Sequence, residues 1–288
     1  MDVVRLNVNQ ERIIKVSNSI KNFGLDNILL LEERVDPQFD YIQRLKMKVG
    51  KGYATLYSLI VSLVSYKLAM KGEEWWQCFS NYLSDKEIPK NVDEAIKNVI
   101  DFMKDCKGSI IGQKFKLKRI EKISKSKELL NAIVNNPEIV LEKPEEIMKK
   151  IASSLGTEEW KKTITFSIKM AYYAVKNKGE IKPLLINIPM PIDIRISCLT
   201  YTSGIVESES FKEILKNPKT AIKAWDMVSE LSEVPQIHLD SLLWVIGWAP
   251  RELEISEARK KVIEFLSKYY DSNKINQLIK ELFYRECK

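Results

Sequence analysis

Only ten glycines and ten prolines punctuate 288 residues, while apolar side chains recur three and four positions apart along most of the chain. Strands need alternation, and a chain of short strands needs turn residues about every eight to twelve positions. A helical period with so few breakers predicts an almost wholly α-helical protein. Hydrophobic residues make up 45% of the chain, enough for a substantial core and too many for a disordered one.

The spacing predicts helices over about 10–23, 26–34, 37–47, 53–70, 72–84, 92–105, 113–125, 127–135, 144–154, 158–177, 191–203, 208–216, 218–232, 237–247, 256–269 and 272–285. Asn91, Thr157 and Asn217 (before Pro218) read as helix N-caps. Breaks fall at Gly50-Lys51-Gly52, Lys107-Gly108, Asn135-Asn136-Pro137 and Lys178 to Pro183. None has the length of a flexible interdomain linker, so one compact domain of two helical lobes is expected over residues 1–288. The main irregular segment, Gly179 to Pro191, is stiffened by Pro183, Pro189 and Pro191.

A formal net charge of +7 favours an anionic partner, nucleic acid or a membrane surface. The N-terminal Met1-Asp2-Val3-Val4-Arg5 lacks the apolar core of a signal peptide, and the apolar stretch from Tyr53 to Tyr66 is too short to span a bilayer. A soluble cytoplasmic protein is expected, and the Lys, Glu and Ile content suits a heat-adapted organism. Cys78, Cys106, Cys198 and Cys287 have neither zinc nor iron–sulfur spacing, so free thiols in a reducing compartment are expected. His238 is the sole histidine. With no nucleophile elbow, phosphate loop or dinucleotide fingerprint, triad hydrolysis, nucleotide hydrolysis and dinucleotide redox chemistry lose their footing.

Two residues suggest another chemistry. Lys162 falls in the first turn of a helix, after the tight link Leu155-Gly156-Thr157-Glu158-Glu159. Asp193 falls 31 positions later (193 − 162), where Pro189-Met190-Pro191-Ile192-Asp193 opens another helix. The positive end of a helix favours the neutral amine that a nucleophile needs, and it keeps a capping carboxylate ionised. An amine attacking a sugar carbon beside a carboxylate that stabilises developing positive charge fits this pair. The plain alternatives are a solvated lysine and a capping aspartate. Lys162, Phe166, Lys169 and Tyr173 share one stripe, distinct from the apolar face Ile164, Ile168, Ala171 and Val175; they suit a pocket wall or a solvated lysine face. Backbone N–H groups around Leu155, Gly156 and Thr157 could cradle a phosphate. The run Lys114, Lys116, Lys118, Arg119, Lys122, Lys125 and Lys127 could track a phosphate backbone or be a solvated face. Trp75–Trp76, and Trp244 and Trp248 beside Asp240, are core tryptophans or stacking platforms for an extruded base.

The stretch Gly156-Thr157-Glu158-Glu159-Trp160-Lys161-Lys162-Thr163 followed by Ile188-Pro189-Met190-Pro191-Ile192-Asp193-Ile194-Arg195 resembles the helix–hairpin–helix DNA glycosylases. The wider chain, about Leu31 to Trp248, resembles the archaeal 8-oxoguanine DNA glycosylase family known as AGOG. Further blocks carry the likeness: Asp36-Pro37-Gln38, Ser65-Tyr66-Lys67, Gly72-Glu73-Glu74-Trp75-Trp76, Lys162 to Lys169, and His238-Leu239-Asp240-Ser241-Leu242-Leu243-Trp244. The resemblance implies two α-helical subdomains with a cleft between them and a helix–hairpin–helix element over about 144–177. It implies a bifunctional base-excision repair enzyme that acts on 8-oxoguanine in damaged DNA as a monomer, with no cofactor and no metal. Lys162 would be the nucleophile and Asp193 the catalytic aspartate; Gln38, Trp76, Phe166, Lys169, Asp240 and Trp244 would line the base pocket. Gly156, Thr157, Lys114, Lys116, Lys118 and Arg119 would hold the DNA backbone. The hairpin carries one glycine where the wider superfamily has more. A non-catalytic helical DNA-binding module and a related glycosylase for another lesion are the competing readings.

Overall fold

The computed structural model describes residues 6–180, 182–186 and 188–287. The N-terminal pentapeptide and two positions of the 179–191 loop therefore lie outside the described residues. Apart from one two-residue antiparallel pair the described chain is helical, and it divides into two compact units, residues 1–35 with 181–288 and residues 36–180.

The first unit opens with β1 (Asn7–Val8), α1 (Gln10–Phe23) and α2 (Leu25–Arg34). The chain then builds the second unit from α3 (Pro37–Val64), α4 (Gly72–Ser84), α5 (Val92–Asp105), α6 (Gln113–Ser124), α7 (Lys127–Asn135), α8 (Ile139–Glu142), α9 (Pro144–Leu155) and α10 (Lys162–Val175). It returns to the first with α11 (Ile194–Ser203), β2 (Val206–Glu207), α12 (Phe211–Lys216), α13 (Pro218–Ser232), α14 (Gln236–Ile246), α15 (Ala249–Glu252), α16 (Ile255–Leu266) and α17 (Ser272–Leu282). No described helix is long and apolar enough to cross a membrane.

In the second unit α10 packs along α3. The Gly50-Lys51-Gly52 break is a kink inside α3 rather than a gap between helices. Gly50 takes a non-helical φ of 81°, and a Cβ on Gly52 would stand 2.2 Å from the carbonyl oxygen of Val134. Helix α3 stops at Val64, short of the expected residue 70. The Ser65 hydroxyl turns back to Val61 O and also accepts the buried indole N–H of Trp75 at 2.9 Å. At the far end of α10, Gln43 Nε2 donates to the carbonyls of Tyr173 and Lys176 and Lys46 Nζ donates to that of Lys176. The α3 side chains thus satisfy carbonyls that a helix end leaves open.

In the first unit α1 packs against α13 and α17, and Ile13, Val16, Ile20, Trp225, Leu278 and Leu282 lie in one buried cluster. The cysteine expectation needs correction here, because Cys198 of α11 is bonded to Cys287. The pair is 89 positions apart in sequence. The chain after α17 is laid against α11 by N–H donations from Tyr284 and Arg285 to Thr202 O, which brings the two sulfurs together. Cys78 and Cys106 remain thiols with Sγ atoms 2.9 Å apart, and burial pushes the Cys78 thiol up to about 12.

Candidate active site

The hairpin between α9 and α10 is built by a capping glycine. Gly156 has φ 65° and ψ 48°, a left-handed conformation that glycine adopts at little cost. Its N–H donates to Ser153 O, and the Thr157 N–H reaches back to Ala152 O at 3.0 Å, the paired bonds that end a helix by a left-handed turn. Two expectations change. Thr157 does not cap the next helix, which starts at Lys162 instead of 158. The N–H groups of Gly156 and Thr157 are committed to α9 carbonyls, so they are not available as the expected phosphate cradle. A Cβ at Gly156 would meet nothing within 4 Å, so the position selects glycine for its φ and not for close approach.

Lys162 is the first residue of α10 and half-buried. The stripe below it is not a solvated lysine face. Phe166 is buried, and Lys169 is 2% exposed with its ammonium 4.9 Å from the Tyr173 ring centroid. The Trp76 ring lies edge-on to Phe166 at 6.0 Å and to Phe79 at 5.2 Å. Asp36 caps α3 by accepting from the Gln38 N–H at 2.9 Å and also accepts from the Tyr173 hydroxyl at 2.7 Å. This fixes the buried Gln38 at the start of α3, on a cap shared with α10. Within this unit the structure thus ties together Gln38, Trp76, Phe166 and Lys169 by short chains of contact.

The basic run divides by helical phase. Lys114 and Lys118 are exposed. Lys116 is fully buried, its ammonium near the Tyr66 and Trp75 rings and the Lys67 carbonyl, and burial lowers its pKa. It cannot reach a phosphate from there, which corrects its place among the backbone contacts. Lys116, Ile120 and Ile123 form one buried stripe of α6, a phase already present in the sequence. Arg119 is half-buried and donates from Nη2 to Thr163 Oγ1 at 2.8 Å, tying α6 to the residue after Lys162. A cavity of about 880 Å³ elsewhere in this unit, lined by Leu129, Ile139 and Ile147, takes in Lys125 and Lys127 from the end of the basic run and none of the residues expected to line the base pocket.

In the first unit Asp193 is the N-cap of α11. Its Oδ1 accepts from the N–H groups of Arg195 at 2.8 Å and Ile196 at 2.9 Å, which settles its place one position before the helix. Asp240 and Trp244 lie one turn apart on α14, both buried. Gln236, one turn before Asp240, accepts from the Met190 N–H at 2.9 Å and donates to Asp226 Oδ1 at 2.8 Å. It thereby pins the proline-rich segment that leads to Asp193.

Two residues not foreseen from sequence hold this face. One is Gln236; the other is Arg195, whose guanidinium stacks 4.5 Å over the Trp244 ring and donates to Trp244 O. An Arg two positions after a capping Asp was the available signal. His238 is structural: Nε2 accepts from the Leu184 N–H at 2.9 Å, so Nδ1 carries the hydrogen toward Glu32 Oε1 at 2.8 Å. The Ser241 hydroxyl also turns to Glu32, at 2.7 Å.

Residues 17–281 match the family described as AGOG, N-glycosylase/DNA lyase. An N-glycosylase/DNA lyase of Aeropyrum pernix is 38% identical over 281 residues, covering 97% of this chain and 98% of that one. One from Thermococcus kodakarensis is 30% identical over 266 residues, covering 91% and 93%. The crystal structure of Pa-AGOG, the 8-oxoguanine DNA glycosylase of Pyrobaculum aerophilum, complexed with 8-oxoguanosine, matches with a TM-score of 0.74 at 23% identity. That match spans 95% of this chain and 97% of that chain, and it establishes the fold.

Proposed function

The chain belongs to the AGOG family of N-glycosylase/DNA lyases, and from that premise we propose that it excises 8-oxoguanine from DNA and then cuts the strand through a lysine Schiff base. The two units are read as subdomains of one glycosylase domain that works as a monomer. The observation that carries the proposal is the stripe on α10: a half-buried Lys162 at the helix start, with Phe166 and Lys169 buried below it and Trp76 edge-on to Phe166.

The damaged nucleotide turns out of the duplex, at an unstacking cost of a few kcal/mol. On the unit of α10 the candidates for contact with the base are Phe166, Trp76, Lys169 and Gln38; on the unit of α14 they are Asp240 and Trp244, the latter held flat by Arg195. Oxidation at C8 puts a proton on N7, so guanine's acceptor becomes a donor. A buried acceptor such as the Gln38 amide oxygen or the Asp240 carboxylate meets that N–H. Normal guanine would leave it unsatisfied, a penalty of roughly 1–3 kcal/mol.

The Lys162 amine attacks C1′, the N-glycosidic bond breaks, and the base leaves with its electron pair and takes up a proton. The carboxylate of Asp193 stabilises the positive charge that develops on the sugar and accepts a proton from the amine. Ring opening gives the imine; loss of a C2′ proton then expels the 3′ phosphate by β-elimination. Lys114 and Lys118 hold the backbone.

The test is borohydride trapping on a duplex with one 8-oxoguanine. A covalent protein–DNA band is expected with the native protein, absent with Lys162→Gln and absent on an undamaged duplex. Full strand cleavage by Lys162→Gln would remove Lys162 from its role, and equal binding of damaged and plain duplex without turnover would favour a binding module.

A further inference from the structure

The four cysteines of this chain fall two in each unit, and within each unit the two face one another. In the first unit the pair is bonded. In the second, Cys78 of α4 and Cys106, which follows the last turn of α5, are thiols 28 positions apart in sequence with Sγ atoms 2.9 Å apart. A disulfide spans about 2.05 Å, so bonding needs less than about 1 Å of closing. Cys78 is half-buried and open to a small reagent, whereas Cys106 is 4% exposed.

Packing holds the two sulfurs in register. The Phe102 ring, one turn before Cys106, meets three rings of α4: Trp75 at 5.0 Å, Tyr82 at 5.6 Å and Phe79 at 5.9 Å. The Tyr82 hydroxyl donates at 2.6 Å to Asp105 Oδ2, beside Cys106. The Cys106 N–H donates to Phe102 O at 2.9 Å, and the Cys106 carbonyl accepts from the Ser109 N–H at 3.0 Å and hydroxyl at 2.8 Å. Helices clasped in this way present one thiol to the other at a high effective concentration. Burial pushes the Cys78 thiol up to about 12. That makes thiol exchange slow, and it leaves Cys78 without a stabilised thiolate to hold the pair reduced.

We infer that Cys78 and Cys106 are a second disulfide site, closed by exchange with a low-molecular-weight disulfide and tying α4 to α5 in the unit that carries Lys162. Cys78, the reachable sulfur, loses its proton and attacks one sulfur of the small disulfide, whose S–S bond breaks as the first thiol leaves. Cys106 then loses its proton and attacks Cys78 Sγ, and the second small thiol leaves with the bonding pair. Two protein thiols are oxidised, one small disulfide is reduced to two thiols, and the two protons pass to the leaving sulfurs. The new bond restricts the unfolded chain over 28 positions, as Cys198–Cys287 does over 89 in the other unit.

The full chain, reduced and then incubated to completion with oxidised glutathione, is alkylated under denaturing conditions and mapped by tandem mass spectrometry without reduction. A peptide pair linked through Cys78 and Cys106 is expected. Oxidation should also raise the melting temperature by about 5–10 °C more in the native chain than in Cys78→Ala, which can close only Cys198–Cys287. Cys106→Ala should keep glutathione on Cys78, because the second attack is lost. Circular dichroism checks that both variants fold, and the map of the native chain stands without them. Alkylated Cys78 and Cys106 after the incubation, glutathione retained on Cys78 of the native chain, or Cys78 linked to a cysteine of the other unit or of a second copy would each overturn the site. Equal rises in melting temperature for the native chain and Cys78→Ala would overturn its role as a staple.

Discussion

Around α10 the expected site residues are set by packing: Phe166 of α10 against Trp76 of α4, and Lys169 against Tyr173 within α10, the helix laid along α3. In the unit of α11 and α14 they are set by polar contacts at helix ends. Asp193 caps two N–H groups, Arg195 clamps Trp244, and Gln236 ties down the segment before Asp193. A packed site answers to volume, and loses geometry when a ring is removed. A capped site answers to single atoms, and tolerates a change that keeps the acceptor.

The sharpest break of that contrast is at Asp193. Asn caps a helix about as well as Asp, so Asp193→Asn should keep the melting temperature while base release falls by about 10² to 10⁴. Asp193→Ala should lose the same activity and a further ~1 kcal/mol of stability with the cap. Thermal unfolding beside single-turnover rates separates the two, and an Asp193→Asn protein that melts early would show the residue to be structural.

Next in size, Phe166→Ala should destabilise by about 3–5 kcal/mol through the cavity it leaves. Denaturant unfolding would read this, and a loss under about 1 kcal/mol would mean that the α10 face is not close-packed.

The smallest effect concerns another buried lysine, Lys116. Burial lowers the Lys116 pKa below 10.5. Between that lowered value and 10.5 the unfolded chain binds more protons, so the native protein gains stability as pH rises through this window. Lys116→Met removes the term. The variant should be the more stable near neutral pH, and its advantage should shrink as pH climbs toward 10.5. An advantage independent of pH would contradict the assignment.

Much of this was legible in the sequence because local chemistry decided it. Helices α4 and α5 keep their expected limits, and Asn91 caps the Glu94 N–H as read. Asn217 stands at its cap position, yet its amide turns back to Glu213 O. What was missed was decided over distance. The Cys198–Cys287 bond joins segments with no local signal. The start of α10 lies later because residues 158–161 make a separate turn, with the Lys161 N–H donating to Glu158 O. The burial of Lys116 was readable from its phase with Ile120 and Ile123, but a dense lysine run reads as solvent-facing when the phase is ignored. Lys162 and Lys169 show the same limit: spacing put both on one stripe, and only packing separates a half-buried first residue from a buried interior one.

That pair also sets the most direct test of the central claim. The borohydride-trapped complex formed on an 8-oxoguanine duplex would be digested with protease and nuclease, and the sugar adduct located by tandem mass spectrometry. The account predicts the adduct mass on Lys162 alone; an adduct on Lys169, or on a lysine of another helix, would contradict it.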